Sequence, residues 1–230
     1  MSCSRTGHLP RRRHQADARR VRAPAEGWAA RQPRPDVTAY RVRLAAPADA
    51  EAICRIYNQG IEDRVATLET ELRTPEERRQ WLSARSPRHP VIVAEFVVAG
   101  TVSPALIEGG LRETPSGSAS ADTRSARSGL IAWASLNVFN AREAYRHVAD
   151  ISVYVEREWR GKGAGRVLLE KLDDLGRQHG FHKLVLSAFP FNTGGMALYE
   201  RLGYRTVGIY REQGRLDGKW VDTIVMEKLL

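Results

Sequence analysis

Val153-Tyr154-Val155-Glu156-Arg157-Glu158-Trp159-Arg160-Gly161-Lys162-Gly163-Ala164-Gly165 decides how this chain is read. An apolar strand feeds a glycine-rich loop, and the loop feeds a helix with Val167, Leu168, Leu172 and Leu175 at helical spacing. The first turn of a helix carries unpaired N–H groups and the positive end of the helix dipole. Glycine lets that backbone approach a phosphate with no Cβ in the way. Arg160 and Lys162 add positive charge. Residues 160–165 therefore form a candidate anion cradle, suited to a diphosphate. The GxxxxGK[ST] phosphate loop is absent, and the GxGxG spacing of Gly161, Gly163 and Gly165 differs from the GxGxxG dinucleotide fingerprint. The bland alternative is a structural turn before a helix.

On either side of this loop, strand and helix signals alternate. The pattern predicts strands at 40–44, 91–98, 129–136, 148–155, 181–188, 204–212 and 220–229. It predicts helices at 47–59, from Thr74 onward, at 163–179 and at 193–202. Thr74-Pro75-Glu76-Glu77 reads as an N-cap, a first-turn proline and a capping box. Asp217-Gly218 suits a tight hairpin turn. The expected class is α+β (mixed α/β), with one central mixed sheet flanked by helices.

The chain has 230 residues and a net charge of +9. Residues 1–38 hold nine Arg and no Lys against Asp17, Glu26 and Asp36, a balance of +6, so the remaining residues carry only +3. The basicity belongs to a tail and argues against nucleic acid as the partner of the domain. That tail shows no apolar period and contains Pro10, Pro24, Pro33 and Pro35. It is expected to be a disordered basic extension, or the product of a mis-called start codon, preceding a domain at 39–230. Residues 103–128 are rich in Ser, Ala, Gly and Thr between two apolar runs, as expected of a flexible hairpin insertion. No run of about 18 apolar residues is present, so no membrane-spanning helix is expected. Cys3 and Cys54 are too few for a disulfide scaffold and suit a reducing cytoplasm. The histidines show no metal-ligand spacing, and no metal is assigned.

Arg160-x-x-Gly163-x-Gly165 after Val153-Tyr154-Val155 resembles the acetyl-CoA motif of the GNAT N-acetyltransferases. Asn192 followed by Ala197-Leu198-Tyr199-Glu200-Arg201-Leu202-Gly203-Tyr204 resembles that superfamily's second signature. The likeness covers residues 40–230 apart from the insertion. The strings IYNQGIEDRVATLET (56–70), FNAREAYRHVADISVYV (139–155) and GRLDGKWVDTIVMEKLL (214–230) are similar to the phosphinothricin acetyltransferase branch, which includes the arsinothricin acetyltransferases.

The resemblance implies a GNAT-like fold, acetyl-CoA as co-substrate, a cytoplasmic homodimer and direct transfer without an acyl-enzyme. The implied acceptor is the α-amine of a small acidic amino-acid analogue such as phosphinothricin, methionine sulfoximine or arsinothricin, with detoxification or antibiotic resistance as the consequence. It assigns Val153, Tyr154, Val155 and Asn192, together with the cradle residues, to the coenzyme. It makes Asp150 the candidate base, where the branch usually has Glu. Tyr199 is the candidate acid, at a position where the branch also carries His. Arg142, Tyr145 and Leu68 are candidate acceptor-binding residues, although Asn140 stands where a second basic residue is common. An amine of pKa ~8–10 must lose its proton before it attacks, which is why a base is sought. The rival readings are an acetyltransferase for protein N-termini or another amine, a non-catalytic coenzyme-binding module, and an RNA-binding protein acting through the tail.

Overall fold

Side-chain alternation along the strands sorts the residues onto two faces of one sheet. The structure, a computed structural model, describes residues 40–96 and 129–230. The strands are β1 (Tyr40–Leu44), β2 (Val91–Phe96), β3 (Leu130–Val138), β4 (Val148–Val155), β5 (Lys183–Ala188), β6 (Arg205–Leu216) and β7 (Lys219–Leu229). They lie in the order β1-β2-β3-β4-β5-β7-β6. All neighbours are antiparallel except β4 and β5, which are parallel. The helices are α1 (Ala50–Glu62), α2 (Pro75–Ser83), α3 (Ala164–Gln178) and α4 (Thr193–Arg201). The 1–38 tail and the 103–128 insertion expected from the sequence lie outside the described residues.

On one face Ala132, Ala134 and Leu136 of β3 and Ala149 and Ile151 of β4 pack beneath α3, whose Leu168, Leu169 and Leu172 are fully buried. Val153, Val155, Leu198 and Tyr199 close the edge of that cluster. On the other face Ile53, Ile56, Tyr57 and Ile61 of α1 pack against Val91, Val93 and Trp133. The face of a strand residue is fixed by the two-residue period, so the polar residues of the second face are held in register with one another.

Several boundaries moved for physical reasons. The helix expected at 47–59 begins as a 3-10 turn at Pro47–Asp49 and then continues through Gly60 to Glu62. Gly60 lies inside the helix, where a Cβ would meet Ala66 and Tyr154 at 3.4 Å, an ordinary contact distance. The strand expected at 91–98 is described through Phe96, while the strand expected at 129–136 extends to Val138. β6 runs past its expected end at 212, because a register shift between Tyr210 and Gly214 absorbs the mismatch with β7. Glu212 in that shift adopts φ 51°. The capping box of α2 forms as the sequence predicts. Glu77 N–H donates to Thr74 Oγ1 (3.2 Å), and Thr74 N–H donates to Glu77 Oε2 (2.6 Å).

A buried network ties α3 and α4 to the sheet. Lys228 Nζ on β7 donates to Asp173 Oδ2 on α3 (2.5 Å) and to the Leu202 carbonyl at the end of α4 (2.6 Å). The Tyr204 hydroxyl donates to the other Asp173 oxygen (3.1 Å). Burial, together with the neighbouring Asp173 carboxylate, holds the Tyr204 phenol far above its ordinary pKa. Removing one partner of a buried, hydrogen-bonded pair leaves an uncompensated charge. We expect Asp173→Asn to lower stability by about 3 kcal/mol, read as a lower urea midpoint with an unchanged m-value.

Candidate active site

β4 and β5 pair only over Val148↔Lys183, Ala149↔Leu184 and Asp150↔Val185. Beyond Asp150 the two strands diverge. The rest of β4, from Ile151 to Val155, keeps its β3 partners but has no strand on its other side among the described residues. Backbone polar groups in such a place need partners. An extended ligand can supply them as an added strand would. The free edge leads straight into the glycine-rich loop.

The loop is shaped for an anion by its backbone more than by its cations. Gly163 is the N-cap of α3 with φ +100°, and Gly161 has φ +75° with open space where a Cβ would stand. Any other residue would be strained at either position. Among the described residues, the N–H groups of Gly161, Gly163, Ala164 and Gly165 donate to no protein acceptor. Gly165 has a different task, since its absent Cβ would lie 3.2 Å from Leu198 and 3.6 Å from Val155. It lets α3 close onto β4 and α4.

The expected cations are placed differently from a pair aimed at a phosphate. Arg160 Nη1 donates to Asp63 Oδ2 (2.6 Å), and its Nε donates to the Val155 carbonyl (3.2 Å). Arg157 also grips Asp63 (2.7 Å), and the two guanidinium groups hold the Asp63 carboxyl below the ordinary carboxylate range. These contacts fasten the loop to the end of α1. Lys162 is exposed, with its ammonium 5.1 Å from the Trp159 ring centroid, and its carbonyl accepts from the Tyr40 hydroxyl (2.7 Å). Lys162 remains the cation of the loop free to meet a phosphate, and the unpartnered N–H groups fit a diphosphate directly.

Asp150 sits at the fork, on the last rung shared by β4 and β5. Burial pushes its carboxyl up to about 6, partly offset by a hydrogen bond from Asn137. Asn137 Nδ2 donates to Asp150 Oδ2 (3.3 Å) and to Ser152 Oγ (3.0 Å), while Asn137 Oδ1 accepts from Ser135 Oγ (3.0 Å) and Arg85 Nη1 (3.1 Å). Arg85 also donates to the Leu136 and His89 carbonyls, which fixes the end of this relay. A carboxylate titrating near neutrality can accept a proton from an amine, directly or through one water.

Below Asp150 on the α1 and α2 face lies a cavity of about 260 Å³. The Trp133↔Tyr154 and Ser135↔Ser152 rungs of the β3–β4 ladder line it, and so does Asn137 of the next rung, Asn137↔Asp150. Tyr154 stacks on Trp133 with ring centroids 4.6 Å apart and meets Tyr57 edge-on at 4.9 Å. The Tyr154 side chain therefore belongs to this cavity, and only its backbone lies on the free edge assigned to the coenzyme. Arg78 and Trp81 of α2 and Glu69 complete the wall. The cavity residues Ser135, Asn137, Arg78 and Trp133 were missed from the sequence. The signal that could have found them is a polar residue at every second position of an otherwise apolar strand.

Tyr199 lies on α4 at the margin of the opposite face, and burial pushes its phenol up to about 12. Burial likewise holds the Tyr154 phenol well above its ordinary value, and the neighbouring Tyr57 and Tyr199 raise it further. Asn192 caps α4, with Oδ1 accepting from Gly195 N–H (3.0 Å). Arg142 and Tyr145 lie apart from the cavity, in the exposed turn between β3 and β4. There Tyr145 packs on Phe139 (5.7 Å), and the Asn140 side chain accepts from Arg142 N–H (3.0 Å). Leu68 packs against Gly214 of β6, where a Cβ would sit 2.5 Å from it.

Comparison with known proteins finds relatives over most of the chain. The profile of the acetyltransferase (GNAT) family matches residues 66–204. YwnH of Bacillus subtilis (strain 168), provisionally named a phosphinothricin acetyltransferase, is 30% identical over 82% of this chain and 98% of its own length. The L-methionine sulfoximine/L-methionine sulfone acetyltransferase of Pseudomonas paraeruginosa (strain DSM 24068 / PA7) is 27% identical over 81% of this chain and 92% of its own. The crystal structure of a phosphinothricin acetyltransferase from Sinorhizobium meliloti, solved with acetyl-CoA, superposes with a TM-score of 0.66 at 26% identity. It covers 84% of this chain and 89% of that one.

A carboxyl whose folded pKa lies above its ordinary 3.8 favours folding only while protonated. That contribution is complete below about 4 and is lost as pH rises through about 6. Asp150→Asn should therefore raise the unfolding free energy at pH 8 by up to about 3 kcal/mol. The gain should vanish below pH ~4, and urea titrations at both pH values check it.

Proposed function

The chain belongs to the acetyltransferase (GNAT) family, and from that premise we propose that it moves an acetyl group from acetyl-CoA to the α-amine of a small acidic amino-acid analogue of the phosphinothricin or methionine sulfoximine type. The observation that carries this reading is the position of Asp150. It is a half-buried carboxyl of raised pKa where β4 parts from β5, beside a free strand edge and on the sheet face that carries a small aromatic cavity.

The unpartnered N–H groups of residues 161–165 would hold the diphosphate, with Lys162 beside them. The free edge of Val153, Tyr154 and Val155 would receive the pantetheine arm, and Asn192 would shape the far wall. Asp150 accepts the proton of the acceptor's ammonium, so that the nitrogen lone pair can attack the thioester carbon. A C–N bond forms as the C–S bond breaks. Tyr199 gives a proton to the departing thiolate and is restored by the second proton, which the nitrogen sheds as it becomes an amide; the raised pKa keeps the resting phenol protonated at neutral pH. Neither Cys3 nor Cys54 is needed as a nucleophile. Cys54 is buried, with its thiol donating to the Arg73 carbonyl (3.0 Å). Arg142 and Tyr145, in the exposed turn, would engage the acceptor only at the mouth of the site.

Release of free thiol from acetyl-CoA tests the proposal against phosphinothricin, methionine sulfoximine, N-terminal peptides and aminoglycosides. The expected result is turnover with the first two, and a panel with no turnover at all would overturn it. The acid limb of kcat/KM should inflect at about 6. Asp150→Asn should lower kcat by ~10²–10⁴ while calorimetric binding of acetyl-CoA is unchanged. Tyr199→Phe should slow turnover by ~10-fold or more.

A further inference from the structure

We propose that Arg78, with Trp133, is the specificity-determining anion subsite of this enzyme, which takes the oxygen-bearing end of the acceptor's side chain while its amine lies at Asp150. The proposal deepens the acceptor class inferred above and rests on that reading.

α2 buries one residue, and that residue is an arginine rather than an aliphatic side chain. Arg78 is 9% exposed. Its guanidinium carbon lies 4.2 Å from the Tyr57 ring centroid and 5.4 Å from that of Trp81. The aromatic faces hold the cation in place, but they satisfy none of its N–H donors. Among the described residues, no carboxylate pairs with it. Two buried side-chain atoms of the described residues have no hydrogen-bond partner, and they are Arg78 Nε and Trp133 Nε1. Both residues line the 260 Å³ cavity.

The residues that carry these two orphaned donors line one small cavity, and buried polar groups are normally paired. The carboxylate nearest at hand in the wall, Glu69, is already committed to Arg73 Nε (2.6 Å). A ligand oxygen can fill the gap. A guanidinium fork matches the paired oxygens of a carboxylate or phosphinate, and an indole N–H can support one of them. The cavity lies below the ~300–1,000 Å³ of drug-sized sites, so the occupant is small.

The ladder sets its length. Trp133↔Tyr154 stands two rungs from Asn137↔Asp150 on the same face, four residues along β4. At ~3.3 Å per residue the Cα atoms of these rungs are roughly 13 Å apart. Side chains reaching inward from both ends leave space for an amine and an oxyanion several bonds apart. That spacing describes a distal side-chain acid, since an α-carboxylate lies only two bonds from its amine. Ser152 and Asn137 line the path between the two ends.

Steady-state kinetics on the full chain test this with two acceptors of equal length, phosphinothricin and norleucine, whose side chain ends in hydrocarbon. The wild type should prefer phosphinothricin by about 30-fold or more in kcat/KM. Arg78→Gln should reduce that preference to about threefold or less by raising KM for phosphinothricin, with kcat and the KM for acetyl-CoA little changed. Arg78→Lys should restore it only in part, since the charge returns without the fork. Trp133→Phe should raise KM about fivefold, and it decides the matter should Arg78→Gln fail to fold. Retention of the preference in Arg78→Gln or in Trp133→Phe would overturn the subsite while leaving the acetyltransferase reading intact. If the wild type acetylates neither acceptor, that reading fails separately. The subsite is then read from tryptophan fluorescence, where the amine-free phosphinate of the same length should quench the wild type saturably and Arg78→Gln not at all. No quench in the wild type would overturn it.

Discussion

The parting of β4 from β5 after three rungs governs the rest of the structure. A parallel pair so short leaves the outer half of β4 with a bare edge inside the fold. Backbone groups on such an edge must find partners, and only a ligand or a further strand can supply them. The network of Lys228, Asp173, Tyr204 and the Leu202 carbonyl pins α3 and α4 to the strands behind them. The gap is thus maintained by packing and ion pairing elsewhere. Asp150 stands at its apex, on the last rung that β4 shares with β5.

The two kinds of buried charge in this protein differ in how they are satisfied. Asp173 and Lys228 answer each other and add little that a hydrophobic pair could not, apart from fixing two helices in register. Arg78, in the wall of the aromatic chamber, has no carboxylate partner among the described residues, and the half-buried Asp150 on the same sheet face is met by Asn137 alone. Burial raises the Asp150 carboxyl to about 6, which lowers stability at neutral pH and at the same time equips it to take a proton. Stability is given up at the places where chemistry or recognition needs a group that is not yet satisfied. The aromatic walls strengthen both effects, because they exclude the water that would otherwise solvate these groups.

Legibility in the sequence followed the range of the interaction. The capping box of Thr74 and Glu77 and the strand–loop–helix at 153–165 depend on residues within a few positions of each other, and they were legible. So were Asp150 and Tyr199 as candidates, through the likeness of their surroundings to a known family. The commitment of Arg160 to Asp63 was not legible, because the two are 97 positions apart and meet only when α1 packs beside the loop. Tyr154 shows the same limit. Its place in the motif suggested the coenzyme, whereas its pleat turns its ring toward Trp133 and Tyr57 in the cavity wall.

The sequence by itself determined the order of strands and helices, the glycine-rich turn and its unpaired N–H groups, because these follow from local conformational preference. It did not determine which polar side chains share a chamber. Arg78 reads in one dimension as an ordinary helix cation and Trp133 as an ordinary core aromatic. Only the folded chain, by bringing Trp81 of α2 against Trp133 of β3, removes both donors from water and leaves them without partners among the described residues. Solvation is a property of three-dimensional surroundings, and so the identity of the groups that await a ligand was decided by tertiary structure alone.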